Sequence, residues 1–269
     1  TGSSAGGLAL DPSRARLYVA LENEDAIVVV DTLGGDVIDR FQLRQGDQPR
    51  EVALTPDHRQ LVVTNAGSAS VVFIEPTNGL ELGRVTVGEE PSALLIDRSG
   101  QRAYVLNVRS STLSVVDIGT RAVVATLATD AQPRRAQLDR AGTSLYVIHA
   151  GSPNLLVVAV PAMTVTRRQY IGLGAASLRV DALTDLFYVG WDDLARLDVF
   201  HPSSLTPVDT IDVPAPVAYM TLDGLERTLV LVMPTAHATG ILDLAGRHLL
   251  SAMDVGEAPR WVVLAGEQP

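Results

Sequence analysis

Short apolar segments alternate with polar turn clusters along the whole chain. In one stretch the apolar segment 93–96 ends at the turn 97–100, and further apolar segments follow at 103–107, 113–117 and 123–127. Short apolar runs bounded by turn-forming residues predict β-strands. No segment carries a sustained apolar stripe at helical spacing. The pattern therefore predicts an all-β chain, with four strands in this stretch.

The same four-strand pattern returns every 42 residues. Three sets of equivalent residues mark the interval: tyrosines at positions 104, 146 and 188, aspartates at 97, 139, 181 and 223, and prolines at 49, 91 and 133. The first repeat is two residues longer than the others. A unit of four short strands repeated at this length is typical of a β-propeller blade. Aspartates that recur at the same turn of each blade are interpreted as turn-forming residues.

We predict a single all-β domain, a β-propeller, over residues 1–269. Its six complete 42-residue repeats, each a four-stranded antiparallel blade, are placed approximately at 8–49, 50–91, 92–133, 134–175, 176–217 and 218–259. Residues 260–265 would form one extra C-terminal strand. That strand either competes with the first strand of the chain for the innermost position or pairs with a partner, because an unpaired edge is a liability. An incomplete seven-bladed propeller is the alternative.

Composition excludes several kinds of chemistry. All 21 basic residues are arginines, and the chain has no lysine and no cysteine. Lysine Schiff bases, thiolate nucleophiles, disulfides and c-type haem attachment are therefore excluded for this chain. The 31 acidic residues give a net charge of −10, which disfavours nucleic-acid binding because that needs many cationic contacts to phosphate. The longest apolar runs are too short to span a bilayer as a helix.

The repeats also carry a family resemblance. The second strand reads Tyr104-Val105-Leu106-Asn107 in one repeat and Val62-Val63-Thr64-Asn65 in another, and Gly88-Glu89-Glu90-Pro91 joins two repeats. These segments resemble the YVTN-type β-propeller repeat of bacterial and archaeal surface-layer and periplasmic proteins. The resemblance implies a periplasmic or extracellular location. It implies less about activity, because that superfamily spans adhesive modules, redox-enzyme subunits, lactonase-like enzymes and metal chaperones.

Arginines mark some of the predicted blade-to-blade loops. In a propeller these loops share one face, around the central channel, with the loops between second and third strands. Residues with a purely structural role should be nearly uniform from blade to blade, but three of these loops carry Arg50, Arg134 and Arg260 and the others do not. Guanidinium groups converging on the channel mouth of an acidic protein predict a site for an anionic ligand. The alternative is that each arginine is solvated or pairs with an acidic residue of a neighbouring loop.

The end of the second strand also varies between repeats. It holds Asn65 and Asn107 in two repeats and His149 and Trp191 in the next two. His149 beside Trp191 would form an aromatic platform suited to a flat or sugar-like ligand. Alternatively, both side chains simply fill the mouth of the channel. These four residues complete the predicted ligand-binding set, and no catalytic residue is predicted.

A metal site is only weakly indicated. The five histidines show no zinc-binding motif. Oxygen ligands from Glu22, Asn65, Asn107 and Asp192 are the candidates for one divalent cation, such as Ca²⁺, in the channel. Six-bladed lactonase-like hydrolases use a carboxylate–amide site of this kind, which the resemblance implies and no motif of this chain shows.

We predict a non-enzymatic extracytoplasmic β-propeller that acts as a protein- or ligand-binding platform, alone or as a subunit of a larger assembly. Regular blades without a catalytic constellation favour this function, and no cofactor is expected. A protein partner is expected, with a small anionic or sugar-like ligand as the alternative; nucleic acid and a membrane span are not. Two other functions stay open: a metal-dependent lactonase-like hydrolase, and an accessory subunit of a quinone- or haem-containing redox system.

Overall fold

The computed structural model describes residues 5–264, and this range contains 24 β-strands and three short 3₁₀ helices. The strands are β1 Ala5–Asp11, β2 Arg16–Leu21, β3 Ala26–Asp31, β4 Val37–Gln42, β5 Pro49–Leu54, β6 Leu61–Asn65, β7 Ser70–Ile74, β8 Glu81–Thr86, β9 Pro91–Ile96, β10 Arg102–Asn107, β11 Thr112–Asp117, β12 Ala122–Ala128, β13 Pro133–Leu138, β14 Ser144–His149, β15 Asn154–Ala159, β16 Thr164–Tyr170, β17 Ala175–Val180, β18 Phe187–Trp191, β19 Arg196–Phe200, β20 Pro207–Asp212, β21 Tyr219–Asp223, β22 Thr228–Met233, β23 Ala238–Asp243 and β24 His248–Asp254. The helices are Pro12–Arg14, Glu22–Glu24 and Pro234–Ala236. Within the described range, no helix has the length and apolar character needed to cross a membrane.

Consecutive strands pair into six four-stranded antiparallel sheets. The sheets are β1–β4, β5–β8, β9–β12, β13–β16, β17–β20 and β21–β24, and we call them blades 1 to 6. The predicted all-β fold with six four-stranded blades is therefore confirmed for residues 5–264. Of the described residues, 5–133 form one compact unit, unit 1, and 134–264 form a second, unit 2. The single domain over residues 1–269 stays a prediction.

The extra strand predicted at 260–265 is not shown. The structure assigns no strand to residues 260–264, and residue 265 lies outside the described residues. The side chain of Trp261 instead packs against Tyr219 and Arg135. Trp261 therefore makes side-chain contacts where the sequence pattern predicts a strand.

Apolar side chains are buried chiefly between neighbouring blades. In unit 1, Tyr18 and Ile27 of blade 1 share an apolar cluster with Val52 of blade 2. In unit 2, the ring of Tyr146 in blade 4 stacks on Phe187 of blade 5, with the ring centroids 5.1 Å apart. The middle strands of a blade are the most buried, since every residue of β6 and β7 is buried. Within each unit, apolar side chains of one blade are therefore covered by the blade beside it.

Every blade has a bulge in its fourth strand. In blade 3, Val115 pairs with Ala125 and the next residue, Val116, pairs with Val123, so that Val124 has no partner in the ladder. The equivalent residues, one per blade, are Ile38, Leu82, Val124, Thr166, Val208 and Leu250. Bulges bend and twist an outer strand, which makes regular pairing with another chain less favourable.

Charged side chains in the turn after the first strand also join neighbouring blades. The buried carboxylate of Asp11 accepts hydrogen bonds from Ser13 Oγ at 2.5 Å, Arg14 Nη1 at 2.5 Å and, from blade 2, His58 Nδ1 at 2.9 Å. Burial alone would raise the pKa of Asp11, but the hydrogen bonds from these three side chains outweigh it and lower the pKa to about 2. This carboxylate is therefore ionised and holds two blades together.

In unit 2, Asp181 lies in the equivalent turn, after the first strand of blade 5, and it also joins two blades. Its oxygens accept hydrogen bonds from the two terminal nitrogens of Arg227 in blade 6, at 2.5 and 2.9 Å. His58 and Arg227 occupy equivalent turns of their blades, and both have a left-handed backbone, with φ of 58° and 56°. Asp181, which the sequence pattern marks as a turn-forming residue, therefore also makes a contact between blades.

Replacing Asp11 by Asn should lower the free energy of unfolding by about 2 kcal/mol near neutral pH, because it removes a buried, stabilised carboxylate. A carboxyl group with a lowered pKa stabilises the fold fully above the pKa of the unfolded chain, about 4, and this contribution is lost as the pH falls toward about 2. Thermal melting of the parent and D11N should therefore differ clearly above about pH 4, and by progressively less as the pH falls toward about 2. The control D39N removes an exposed carboxylate and should leave melting nearly unchanged. A difference between parent and D11N that stays the same down to about pH 2 contradicts this assignment.

Candidate functional site

Loops of blades 2 and 3 surround a polar depression of about 450 Å³ in unit 1. We call it the unit 1 pocket. Its lining consists of Gln48, Arg50, Ala66, Gly67, Ser68, Ala69, Glu89, Glu90 and Arg109. These residues come from the blade-to-blade loops and from the loops between second and third strands, the two kinds of loop that the sequence pattern predicts on one face.

Charged side chains alternate in sign along this pocket. Arg50 lies between two carboxylates, with its Nε 3.1 Å from Glu22 Oε1 and its Nη2 3.5 Å from Glu90 Oε1. Glu90 in turn has its Oε2 3.7 Å from Nε of Arg109. Half-exposed ion pairs of this kind add little to stability. Their effect is to fix the position of Arg50 and to neutralise its charge.

Two charged groups of the pocket remain open to solvent. The side chain of Arg109 is 72% exposed, and among residues 5–264 its only ion pair is the long one to Glu90. Glu89 is also exposed, and among the described residues its carboxylate has no hydrogen bond or ion pair. The pocket therefore presents one cation and one anion beside a polar floor.

Close backbone contacts shape the pocket wall. Gly67 donates its N–H to the carbonyl of Asp47 at 3.0 Å. A Cβ atom at Gly67 would lie 2.2 Å from the carbonyl oxygen of Gly46, closer than real contacts allow. Glycine at this position therefore lets the two loops approach each other.

The second predicted arginine, Arg134, forms a two-pronged ion pair in unit 2. Its Nη1 and Nη2 donate to the two carboxylate oxygens of Asp192 at 2.5 and 2.9 Å. This pair joins blade 4 to blade 5. Arg260 is exposed. For Arg50 and Arg134 the structure therefore shows the ion-paired alternative, and anion binding by Arg50, Arg134 and Arg260 stays a prediction.

Asn65 and Asn107 are buried inside their blades. The amide nitrogen of Asn65 donates to Ser70 Oγ at 3.3 Å, and that of Asn107 donates to Thr112 Oγ1 at 3.0 Å and Ser114 Oγ at 2.9 Å. Each asparagine thus ties the end of the second strand to the third strand. Their side chains do not reach the surface, so they line no open face of the pocket.

His149 and Trp191 are also buried. Their residues are 0% and 2% exposed, and His149 Nδ1 donates to the carbonyl oxygen of Asn154 at 3.1 Å. The backbone of Gly172, with φ of 116°, covers the Trp191 indole, so that a Cβ there would lie 3.4 Å from the ring. An aromatic platform would need exposed ring faces, which these side chains do not offer. Ligand binding by this pair stays a prediction.

Two of the four candidate metal ligands face arginines, and the other two are buried. Within residues 5–264, no three His, Asp or Glu side chains cluster so that they could hold a metal ion. Glu22 faces Arg50, and Asp192 faces Arg134. Asn65 and Asn107 keep their amide oxygens buried without a hydrogen-bond partner in the described part of the chain. A divalent cation held by Glu22, Asn65, Asn107 and Asp192 therefore stays a prediction.

One cluster in unit 2 has no counterpart in the sequence-based predictions. The Cζ atom of Arg135 lies 4.8 Å from the ring centroid of Trp261 and 5.7 Å from that of Tyr219. The two aromatic rings are themselves 4.6 Å apart between centroids. We call these three residues the Arg135 cluster. The available signal was that Trp261 opens a seventh period, but the period alone does not indicate which side chains it contacts.

Comparison with known proteins shows a fold and no family. No protein-family model matches the chain, and no curated protein matches its sequence. The chain is similar to hydrazine synthase of Kuenenia stuttgartiensis, with a TM-score of 0.81 and 19% identity over 95% of this chain and 88% of that chain. It is also similar to a chain in the crystal structure of the mitotic checkpoint complex, with a TM-score of 0.78 and 12% identity over 93% and 76% of the two chains. At these identities the similarity shows the fold alone, which supports the β-propeller class.

Gly67→Ala tests the wall of the unit 1 pocket. Because the added Cβ would meet the Gly46 carbonyl at 2.2 Å, the loops must separate, and the free energy of unfolding should fall by about 1–3 kcal/mol. Denaturant titration measures this change. Gly224→Ala is the control, since a Cβ there meets nothing within 4 Å and should leave stability nearly unchanged. Equal stability of the two variants would show that the loops are not in close contact.

Proposed function

We propose that the chain is a non-enzymatic β-propeller that binds a protein partner through the loop face of unit 1, with the unit 1 pocket as the docking recess. The observation that carries this proposal is the pocket itself, where Arg109 and Glu89 stay open while Arg50 and Glu90 are paired internally. A binding or scaffold role fits the fold, and one of the similar structures is by name a multiprotein complex.

The chemistry of the lining favours a polar protein segment over a small molecule. Small-molecule sites are mostly apolar, with a few placed polar groups, whereas this pocket has only alanines as apolar side chains. Interface rims are polar, and charges arranged to complement a partner provide specificity and faster association. A partner segment that carries one acidic and one basic side chain would pair with Arg109 and Glu89. A small anionic or sugar-like ligand is the competing occupant.

The repeat type, location and cofactor content belong to the same proposal. The repeats are of the YVTN type, the protein is periplasmic or extracellular, and it works without a cofactor. The support for the repeat type is that the residues carrying the resemblance have matching structural roles. Tyr104 is buried in the second strand, and Asn107 bonds this strand to the third.

Charge reversal at the open groups tests the docking recess. The tagged chain is purified gently from its natural source as the parent and as R109E, E89R and R59E, and each preparation is weighed by native mass spectrometry. R109E and E89R should each lose the co-purifying protein subunit, because each replaces an attraction by a repulsion. R59E is the control, since Arg59 is 81% exposed in a turn at the opposite end of blade 2, and it should retain the subunit.

Two results contradict the proposal. One is recovery of the same subunit with all four proteins, which would place the interface elsewhere. The other is a parent protein that carries only a small ligand, with its mass lost in R109E, which would make the pocket a small-molecule site.

A further inference from the structure

The Arg135 cluster is a stacked arrangement of one guanidinium and two aromatic rings. Arg135 lies over the face of Trp261 at 4.8 Å, and the rings of Trp261 and Tyr219 meet at an interplanar angle of 55°. A guanidinium within about 6 Å of an aromatic face is attracted by the electrons of the ring, and tryptophan gives the strongest attraction. Trp261 therefore makes two kinds of contact, one to a guanidinium and one to an aromatic ring, that a planar aromatic ligand makes in a binding site.

Two walls of this site are held without any help from Trp261. Arg135 lies on β13 and Tyr219 on β21, so strands position both residues. Arg135 Nη1 donates to the carbonyl oxygen of Arg134 at 3.2 Å, and Arg134 is itself fixed by its ion pair with Asp192. Since the edge of the Arg135 guanidinium is used in this way, the group presents its flat face. A flat face with a tyrosine beside it selects a planar π-system.

The segment that carries Trp261 is held much less firmly. Residues 255–264, which we call the exit segment, follow β24 and contain no strand. His237 makes two hydrogen bonds to the segment: its carbonyl oxygen accepts the N–H of Val255 at 2.8 Å, and its Nδ1 accepts the N–H of Ala258 at 3.1 Å. Residues 255–258 are exposed, and residues 261–264 are only half-buried. The occupant is thus tethered by an exposed stretch of chain, while the two residues that contact it lie on strands.

We propose that Arg135 and Tyr219 form a binding slot for a planar aromatic group, and that Trp261 is its exchangeable occupant. An aromatic side chain of a protein partner enters the slot when Trp261 leaves it. The slot lies in unit 2 and is argued from residues that take no part in the unit 1 pocket, so it does not rest on the function proposed above.

The test empties the slot and refills it. Trp261→Ala removes the occupant, and N-acetyltryptophanamide is then titrated into the parent, W261A, W261A/R135A and W261A/R59A, with binding measured by calorimetry. W261A should bind the probe at least about ten times more tightly than the parent, because its slot is empty. W261A/R135A should lose this gain in affinity. W261A/R59A is the control, because Arg59 is 81% exposed and lies outside the slot, and it should keep the gain. Absence of binding to W261A, or equal binding to W261A/R135A, overturns the proposal.

A second measurement decides the question if the double variant does not fold. The chain has two tryptophans, and Trp191 is buried, so acrylamide quenching of fluorescence reports chiefly on Trp261. His237→Ala removes the acceptor for the Ala258 N–H, and the quenching constant should rise at least about two-fold as Trp261 leaves the slot more often. His237→Asp is the matched control, since Asp25 at the equivalent position of blade 1 accepts the N–H of Gln48 at 2.7 Å. Equal quenching of the two variants overturns the exchange of Trp261.

Discussion

Burial of apolar side chains between neighbouring blades is the interaction on which the rest of this structure depends. A four-stranded sheet cannot cover its own faces, so Tyr18 and Ile27 need Val52 of the next blade, just as Tyr146 needs Phe187. Stacked repeats of this kind gain their stability from such shared layers. Because the layers fix the strands of each blade, they also fix the loops at the strand ends. The unit 1 pocket is therefore formed by short loops, and its shape follows from the packing beneath it.

Much of the fold could be predicted from the sequence, because each blade repeats the same order of strands, buried positions and turns. The 42-residue spacing of tyrosines and turn aspartates marks positions with the same burial and the same turn in each repeat. Trp261 shows where this reasoning fails. It has the phase of a first strand, but residues 260–264 form no strand and the Trp261 side chain packs against Arg135 and Tyr219. A period records which backbone positions are equivalent, and it carries no information about contacts made by one repeat alone.

The candidate site was harder to predict than the fold, for the same reason. Arg50 and Arg134 were found because they interrupt the uniformity of their loops, yet their partners come from other loops. Asp192 is 58 residues from Arg134 along the chain, and only the packing of blade 4 against blade 5 brings the two together. The end of the second strand leaves two possibilities for Trp191, an aromatic platform or a side chain that fills the mouth of the channel. The residue is buried, with the backbone of Gly172 beside its ring, and the pattern of one strand does not predict which loop will cover a side chain. Pairing of charges and covering of rings are properties of the assembled blades.

The bulge in every outer strand has a consequence for how such a chain can be built from copies of one ancestral unit. Each copy brings its own irregular edge, as at Val124 in blade 3 and Leu250 in blade 6. Because every copy of the unit contains the bulge, every blade has an outer strand that pairs poorly with other sheets. The bulged residue itself makes no pair in the ladder, and the six positions hold isoleucine, leucine, valine and threonine. The side chain at this position can therefore differ from blade to blade while the pairing of the strands stays the same.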